Sequence, residues 1–278
     1  MIRDRGIAFG VLRHVILLAS AAIMLAPFVW MIATSFKPPH EIFAGTLTLL
    51  PKQWYAYENY REAFVKVPML RYLLNGVIVT SAIFILQVIV AVPCAYVLAK
   101  LDFPGRKLIF VLVLLGLLIP GHVPAIPLYI MLWKAGLLDT YAALIIPSII
   151  SVFGIFLMRQ FFKTVPDELI QAARLDGLSE LGIVWRIMVP AAIPALISFG
   201  IFSVVAHWND YFWPLLVIST RELATPPLGV AYFRNEEAGN DFGPLMAGAV
   251  IIIAPLVAAF LLAQRRFIEG MTMSGLKG

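Results

Sequence analysis

The sequence predicts an all-α, polytopic membrane protein with six transmembrane helices. Of its 278 residues, 61% are apolar and only 13% charged, where a soluble domain carries about 25% charged residues. Mean hydropathy is +0.91. Six mainly apolar stretches can also be read along the chain, each near the length of about 20 residues that spans a bilayer.

The stretches are residues 12–31, 70–98, 108–133 (interrupted near Pro120), 142–162, 192–218 and 244–263. Arg3, Arg5 and Arg13 precede the first one, which is the charge order of a secretory signal. The apolar run from 15 to 33 is longer than a signal core, and no Ala-x-Ala site follows it, so a retained first span is expected. Placing the N-terminus inside puts 13 of the 21 Lys and Arg residues on the cytoplasmic side, in the N-tail, 100–107, 159–186 and the C-tail. The positive-inside rule then gives cytoplasmic N and C termini. An odd number of spans would strand Arg265 and Arg266 on the wrong side. The net charge of +5 follows from these loops and needs no nucleic acid partner.

Several chemistries are excluded. The single cysteine, Cys94, cannot form a disulfide within the chain. His14, His40, His122 and His207 are scattered, so no metal site is expected. No Gly-x-x-x-x-Gly-Lys-Ser/Thr phosphate loop occurs, so any ATP would be handled by another chain.

Between the fourth and fifth spans, residues 165–190 read VPDELIQAARLDGLSELGIVWRIMVP, the longest mixed polar and apolar stretch between apolar spans. Pro166 suits a first helical turn. Asp167 and Glu168 follow where the helix dipole favours acids. Ala172, Ala173 and Leu175 favour helix to about Asp176, and Gly177 fits a left-handed cap. Ser179 can cap a second helix, which carries Trp185 and Arg186 and is expected to stop at Pro190. The first helix would be roughly 15 Å long at 1.5 Å per residue. That is too short to span a bilayer and suits a knob docked into another protein.

Two spans carry unusual groups. Ile119-Pro120-Gly121, with Pro124 and Pro127 beyond, breaks the third. Such breaks occur at packing kinks and along substrate paths in transporters. In the fifth, His207-Trp208-Asn209-Asp210-Tyr211-Phe212-Trp213-Pro214 places polar and aromatic groups together. Polar groups in a span face a bundle interior or cavity. Trp208, Asn209, Asp210 and Tyr211 are therefore candidates for a translocation path, together with Pro120; an aromatic belt at the outer interface fits the same residues. Trp54, Tyr55, Tyr57 and Tyr60, in the loop from 37 to 69, suit such a belt, and the last outside loop, 219–243, is polar.

The run Gln171-Ala172-Ala173-x-x-Asp176-Gly177, followed by Val189-Pro190, resembles the EAA loop of ABC-importer permeases. The family pattern has Glu where this chain has Gln171; Glu168, one turn earlier, supplies a charge on nearly the same face. The Phe103-Pro104-Gly105-Arg106 turn and the Phe156–Phe162 stretch are similar to the carbohydrate branch of that family. The tail from Gln264 to Gly278 resembles the ending of the second permease subunit of maltose-type importers.

The resemblance implies a type I ABC importer permease fold. It divides the chain into an N-terminal helix and external linker (1–69), a five-helix transmembrane core (70–266) and a cytoplasmic tail (267–278). It implies an inner-membrane subunit that moves a sugar, forms half of a path with a second permease subunit, and works with two ATP-binding subunits and an extracytoplasmic binding protein. It implies no cofactor on this chain, with ATP and Mg on the ATPase. Glu168, Gln171, Ala172, Ala173, Asp176 and Gly177 would couple to the ATPase; Ser274, Gly275, Lys277 and Gly278 would reach it from the tail. Glycerol phosphate or a polyol is the alternative cargo. A polytopic enzyme is a second class, but Asp210 near His207 has no serine elbow and no second intramembrane acid beside it. A secondary transporter is a third, and it would have no use for a docking knob.

Overall fold

The computed structural model describes residues 2–44, 48–234 and 241–275, with side chains described for 9–44, 48–234 and 241–262. Its helices are α1 (Ile2–Ser35), α2 (Pro39–Ile42), α3 (Ala56–Val65), α4 (Met69–Lys100), α5 (Arg106–Leu118), α6 (Ala125–Lys134), α7 (Tyr141–Ile145) and α8 (Val152–Phe162). Then follow α9 (Asp167–Leu175), α10 (Glu180–Ile183), α11 (Val189–Ala191), α12 (Ile193–Trp208), α13 (Phe212–Val217), α14 (Pro226–Ala231) and α15 (Phe242–Gly275). No strand occurs among the described residues.

Three stretches are helical, long and apolar enough to cross a membrane unaided: Phe9–Ser35 in α1, Met69–Lys100, and Phe242–Leu262 in α15. Two bent pairs qualify jointly. Tyr141–Ser148 and Val152–Phe162 meet at 42°, and Glu180–Ala191 meets Ile193–Trp208 at 84°. The stretch read as the third span is two shorter helices, α5 and α6, with residues 119–124 between them.

The helix capped by Ser179 ends at Ala191, one residue past the expected stop at Pro190, and the fifth span begins with α12. A π turn, Val184–Met188, precedes the proline, which then sits in the first turn of α11. At the other end the span closes at Trp208, and residues 212–217 form the separate helix α13. Asp210 accepts a hydrogen bond from the Trp213 N–H (3.2 Å), a local bond that competes with continued helix.

By its contacts the chain divides into two compact units, residues 1–69 with 230–255, and residues 70–229 with 256–278. In the first, the buried Asn59 donates to the carbonyls of Ser35 and Lys37, both at 2.9 Å. These lie at and just beyond the end of α1, where carbonyls have no helical partner. Lys66 joins Glu62 (2.8 Å) to Asp241 (2.7 Å). The linker after the first span is thereby tied down.

In the second unit, glycines let helices approach closely. A Cβ on Gly154 would lie 2.3 Å from the Phe199 ring, and one on Gly200 would lie 2.9 Å from Phe84. α8, α12 and α4 therefore pack ring against backbone. Buried Asn75 donates to the carbonyls of Glu222 (2.8 Å) and Ala224 (2.9 Å) and accepts from the Tyr141 hydroxyl (2.6 Å). Asp139, at φ 58°, accepts from the N–H groups of Ser219 and Thr220, both at 2.9 Å, and from the Thr220 hydroxyl.

Gly154→Val is expected to lower stability by about 1–3 kcal/mol, as overpacking does. Thermal unfolding of the purified protein in detergent, compared with the parent, checks this; an unchanged midpoint would show that Phe199 moves aside freely.

Candidate functional site

Two places in the second unit gather the chemistry. The first is α9. It is capped as its sequence suggests: Asp167 and Glu168 occupy the first turn, and Gly177 takes φ +82°. The Leu178 N–H donates to the Ala173 carbonyl and the Gly177 N–H to the Arg174 carbonyl, each at 3.0 Å. This paired 6→1 and 5→2 pattern is a Schellman ending, which turns the chain sharply at a glycine. The Ser179 hydroxyl then accepts from the Gly182 N–H (3.2 Å), starting α10.

One face of α9 is a foot. Ile170 and Ala173 are buried in a cluster with Val92, Ala95 and Tyr96 of α4, Met158 and Phe162 of α8, and Ile183, Val184 and Met188. The remaining surface is open. Glu168, Gln171, Ala172, Asp176 and Gly177 are exposed, as are Leu169 (50%) and Leu175 (89%). Of the residues expected at this loop, Ala173 thus belongs to the foot and the others to the free surface. Sequence reasoning did not single out Leu169, and read Leu175 only as a helix former; apolar residues among polar ones on a short helix were the available signal for both.

Polar bonds fasten the foot. Lys100, at the end of α4, is almost buried; its Nζ donates to the Val165 carbonyl (2.5 Å) and to Asp167 (2.6 Å). Four residues earlier on α4, the Tyr96 hydroxyl donates to Glu180 (2.6 Å). Arg174 donates to the same carboxylate from Nε (2.8 Å) and Nη2 (3.2 Å). The Arg174 hydrogen bond, and after it that from Tyr96, hold the Glu180 carboxyl below the usual range. Arg159 donates from Nε to the Leu98 carbonyl (3.1 Å), and its guanidinium lies 3.6 Å from the centre of the Phe110 ring.

The second place is a cavity of about 660 Å³. It is lined by residues of the α5–α6 break, the α7–α8 bend and the end of α12, among them His122, Ser148, His207, Asn209, Asp210 and Tyr211. Asn209, Asp210 and Tyr211 are where the expected path residues fall together. Trp208 does not line the cavity; it is buried beside Gly76, whose added Cβ would lie 3.1 Å from the indole. Pro120 is also outside the lining, and its neighbours Gly121 and His122 are within it.

A buried polar chain backs the cavity. His207 Nδ1 donates to the Ser203 carbonyl (2.7 Å), the Ser203 hydroxyl donates to Gln87 Oε1 (2.7 Å), and Gln87 Nε2 donates to the Ser148 carbonyl (2.7 Å). It joins α12, α4 and the bend before α8. Polarity inside apolar spans was the signal for Gln87 and Ser203. No group of three or more His, Cys, Asp or Glu side chains able to hold a metal occurs among the described residues. Ser274 and Gly275 are described only as helical backbone of α15; Lys277 and Gly278 lie outside the described residues.

Fold and site together define a helical membrane protein with a short helix held on a firm base and, between broken spans, a largely apolar cavity that carries a few polar groups. The chain belongs to the family of binding-protein-dependent transport system inner membrane components, whose model matches residues 88–272. It is similar to the arabinooligosaccharides transport system permease protein AraQ of Halalkalibacterium halodurans, 34% identical over 93% of each chain. It is also similar to the sn-glycerol-3-phosphate transport system permease protein UgpE of Yersinia pestis, 30% identical over 94% of this chain and 95% of the other. In fold it matches a chain of a bacterial ABC transporter involved in the import of the acidic polysaccharide alginate, with a TM-score of 0.81, 24% identity, and 93% and 96% of the two chains covered. The protein is a permease subunit of an ABC importer, an inner-membrane component and not an enzyme.

The depressed Glu180 pKa fixes a pH dependence. A carboxylate whose folded pKa is lowered contributes stability above its unfolded pKa and loses that contribution as pH falls through the folded value. The difference in thermal stability between the parent and Glu180→Gln is therefore expected to be full at neutral pH and to shrink progressively below the ordinary carboxylate value of 4.5. A difference that stays constant from pH 7 to below pH 4 would show that the charge contributes nothing.

Proposed function

We propose that this chain forms half of the translocation path of a carbohydrate importer and receives the work of ATP hydrolysis through α9. The observation that carries the reading is a nine-residue helix with a buried foot, a fixed corner at Gly177 and an otherwise open surface of Glu168, Leu169, Gln171, Ala172, Leu175 and Asp176. Exposed leucines beside polar groups suit a protein cleft. The partner is an ATP-binding subunit, two per assembly, which carries ATP and Mg; this chain binds neither. A second permease subunit supplies the other half of the path, and an extracytoplasmic binding protein delivers the cargo. Both termini lie in the cytoplasm by the distribution of Lys and Arg. The tail with Ser274, Gly275, Lys277 and Gly278 reaches the ATPase pair, a reading that rests on its resemblance alone.

The chemistry of the cavity favours a hydroxyl-rich cargo. The Nδ1–H of His207 is committed to a carbonyl, and its ring lines the space. Asn209 directs its amide N–H to the Val205 carbonyl (2.8 Å), which leaves its oxygen. Asp210 lines the space, and among the described residues no Lys or Arg does. Acceptors suit donors such as sugar hydroxyls, and the carboxylate disfavours a phosphorylated polyol. Tyr211 and Trp213 offer aromatic faces for a sugar ring.

Two experiments test this. Gentle purification of the chain from its native membrane is expected to bring down an ATPase with a phosphate loop and a sister permease; recovery of a stable, solitary chain would refute the docking reading. In the reconstituted assembly, Gly177→Val is expected to reduce uptake per ATP hydrolysed, because a β-branched residue at positive φ is strained and shifts the corner. Unchanged uptake at equal expression would refute the role of the corner.

A further inference from the structure

We infer that α4 is a second lever of the coupling machinery, with Tyr96, Lys100 and Glu180 as positioning residues that make it travel with α9. The inference rests on the reading of α9 as the helix that meets the ATPase.

Chain connectivity carries a movement of α9 to two spans only. α8 precedes it across residues 163–166, and α12 follows it through residues 176–192. α4 lies more than 60 positions earlier in the chain, so only side-chain contacts can move it. Those contacts hold α9 at both ends. Lys100 binds the Val165 carbonyl and Asp167 at the N-terminal end of α9. Tyr96 binds Glu180, which is itself paired with Arg174 near the C-terminal end. Tyr96 and Lys100 are four residues apart and so share one face of α4. Ile170 and Ala173, which lie between the two grips on α9, pack in one buried cluster with Val92 and Ala95 of α4. A nine-residue helix fastened at both ends and along its foot has no freedom to hinge against α4.

The other half of α4 reaches the cavity. Gln87 lies nine positions before Tyr96, which is about 13 Å along a helix. It donates to the Ser148 carbonyl at the bend between α7 and α8 and accepts from Ser203 of α12. Ser148 lines the cavity, and the Ser203 carbonyl holds His207, which also lines it. A displacement of α9 is thus delivered to the cavity wall along α4 as well as along α12. Tyr96 is where the lever is most selectively cut, since removing one hydroxyl leaves the apolar foot in place.

Spatial succession alone does not establish coupling; a common two-state movement does. The test uses the complete transporter, permease pair and ATPases together, in detergent. Spin labels go on the native Cys94 of α4, the only cysteine of the chain, and on an Arg186→Cys site on the exposed side of the π turn, whose Val184 and Met188 share the buried cluster with Ile170 and Ala173 of α9. The distance between them is measured by pulsed electron resonance, nucleotide-free and after trapping with ATP and vanadate. The expected result for the parent is one narrow distance, the same in both states. Tyr96→Phe is expected to broaden the distribution and make its mean depend on the nucleotide state, and Glu180→Gln to do so to a similar or smaller degree; the ATPase remains bound in each. Either variant keeps the shape of the residue it replaces, so a folding failure of one leaves the other to decide.

A parent distance that changes on trapping would show that α4 does not follow the loop and would overturn the inference while leaving the docking of α9 intact. Variants that keep the parent's narrow, state-independent distance would assign the joint motion to the apolar foot and overturn the role given to Tyr96 and Glu180. An ATPase absent from the purified parent would overturn the docking reading and this inference with it, before any variant is made.

Discussion

A helix of nine residues is too short to stand by itself in water, where isolated helices need about 12–15 residues to be even marginally stable. α9 exists because other elements hold its foot and its ends. Ile170 and Ala173 enter an apolar cluster built by α4, α8 and the α10–α11 stretch. Lys100 and the Tyr96–Glu180–Arg174 group fix what lies on either side. The almost complete burial of the Lys100 side chain is tolerated because its ammonium group ends on a carbonyl and a carboxylate. A helix held in this way can transmit force, since its free surface is set by the base and not by its own propensity.

The same requirement, that polar groups removed from water find partners, governs the broken spans. Backbone irregularity inside a membrane is tolerated only where protein or a water-filled space satisfies it. The described chain has such irregularities at 119–124, at the turn before α8, at Ala192 and at 209–211. Three of the four border the cavity. Gln87 supplies a donor to the bend before α8 and an acceptor to Ser203. Trp213 adds an indole N–H to the Ala143 carbonyl (2.9 Å). The irregularities that form the cavity wall are therefore held by side chains from spans distant in sequence.

At the opposite end of α7 from its bend, Asp139 performs a comparable service. Its carboxylate gathers the N–H groups of Ser219 and Thr220, and the Thr220 hydroxyl foremost among its contacts holds it below the usual carboxylate range. Asn75 does the same for the segment at 222–224. These are neutral or singly charged side chains that replace missing backbone partners, which explains why the connecting segments are ordered with little regular structure of their own.

The sequence by itself determined the class of the protein and the position of the short helix α9. Apolar runs of bilayer length, basic residues on alternate loops, and the Asp-Gly cap after Gln171-Ala172-Ala173 are local signals, and local physics is enough to read them. It also marked Asn209 and Asp210, because polar groups in an apolar run stand out. It did not reveal that Trp208, unlike Asn209, Asp210 and Tyr211, packs away from the cavity against Gly76, that a π turn precedes Pro190, or that Ala173 lies in the foot of its helix. Only the tertiary structure decided these, and the grips of Tyr96 and Lys100 with them. Which side of a helix is buried, and which distant carbonyl receives a given donor, depends on neighbours brought together across 60 or more residues, and no window of sequence contains both partners.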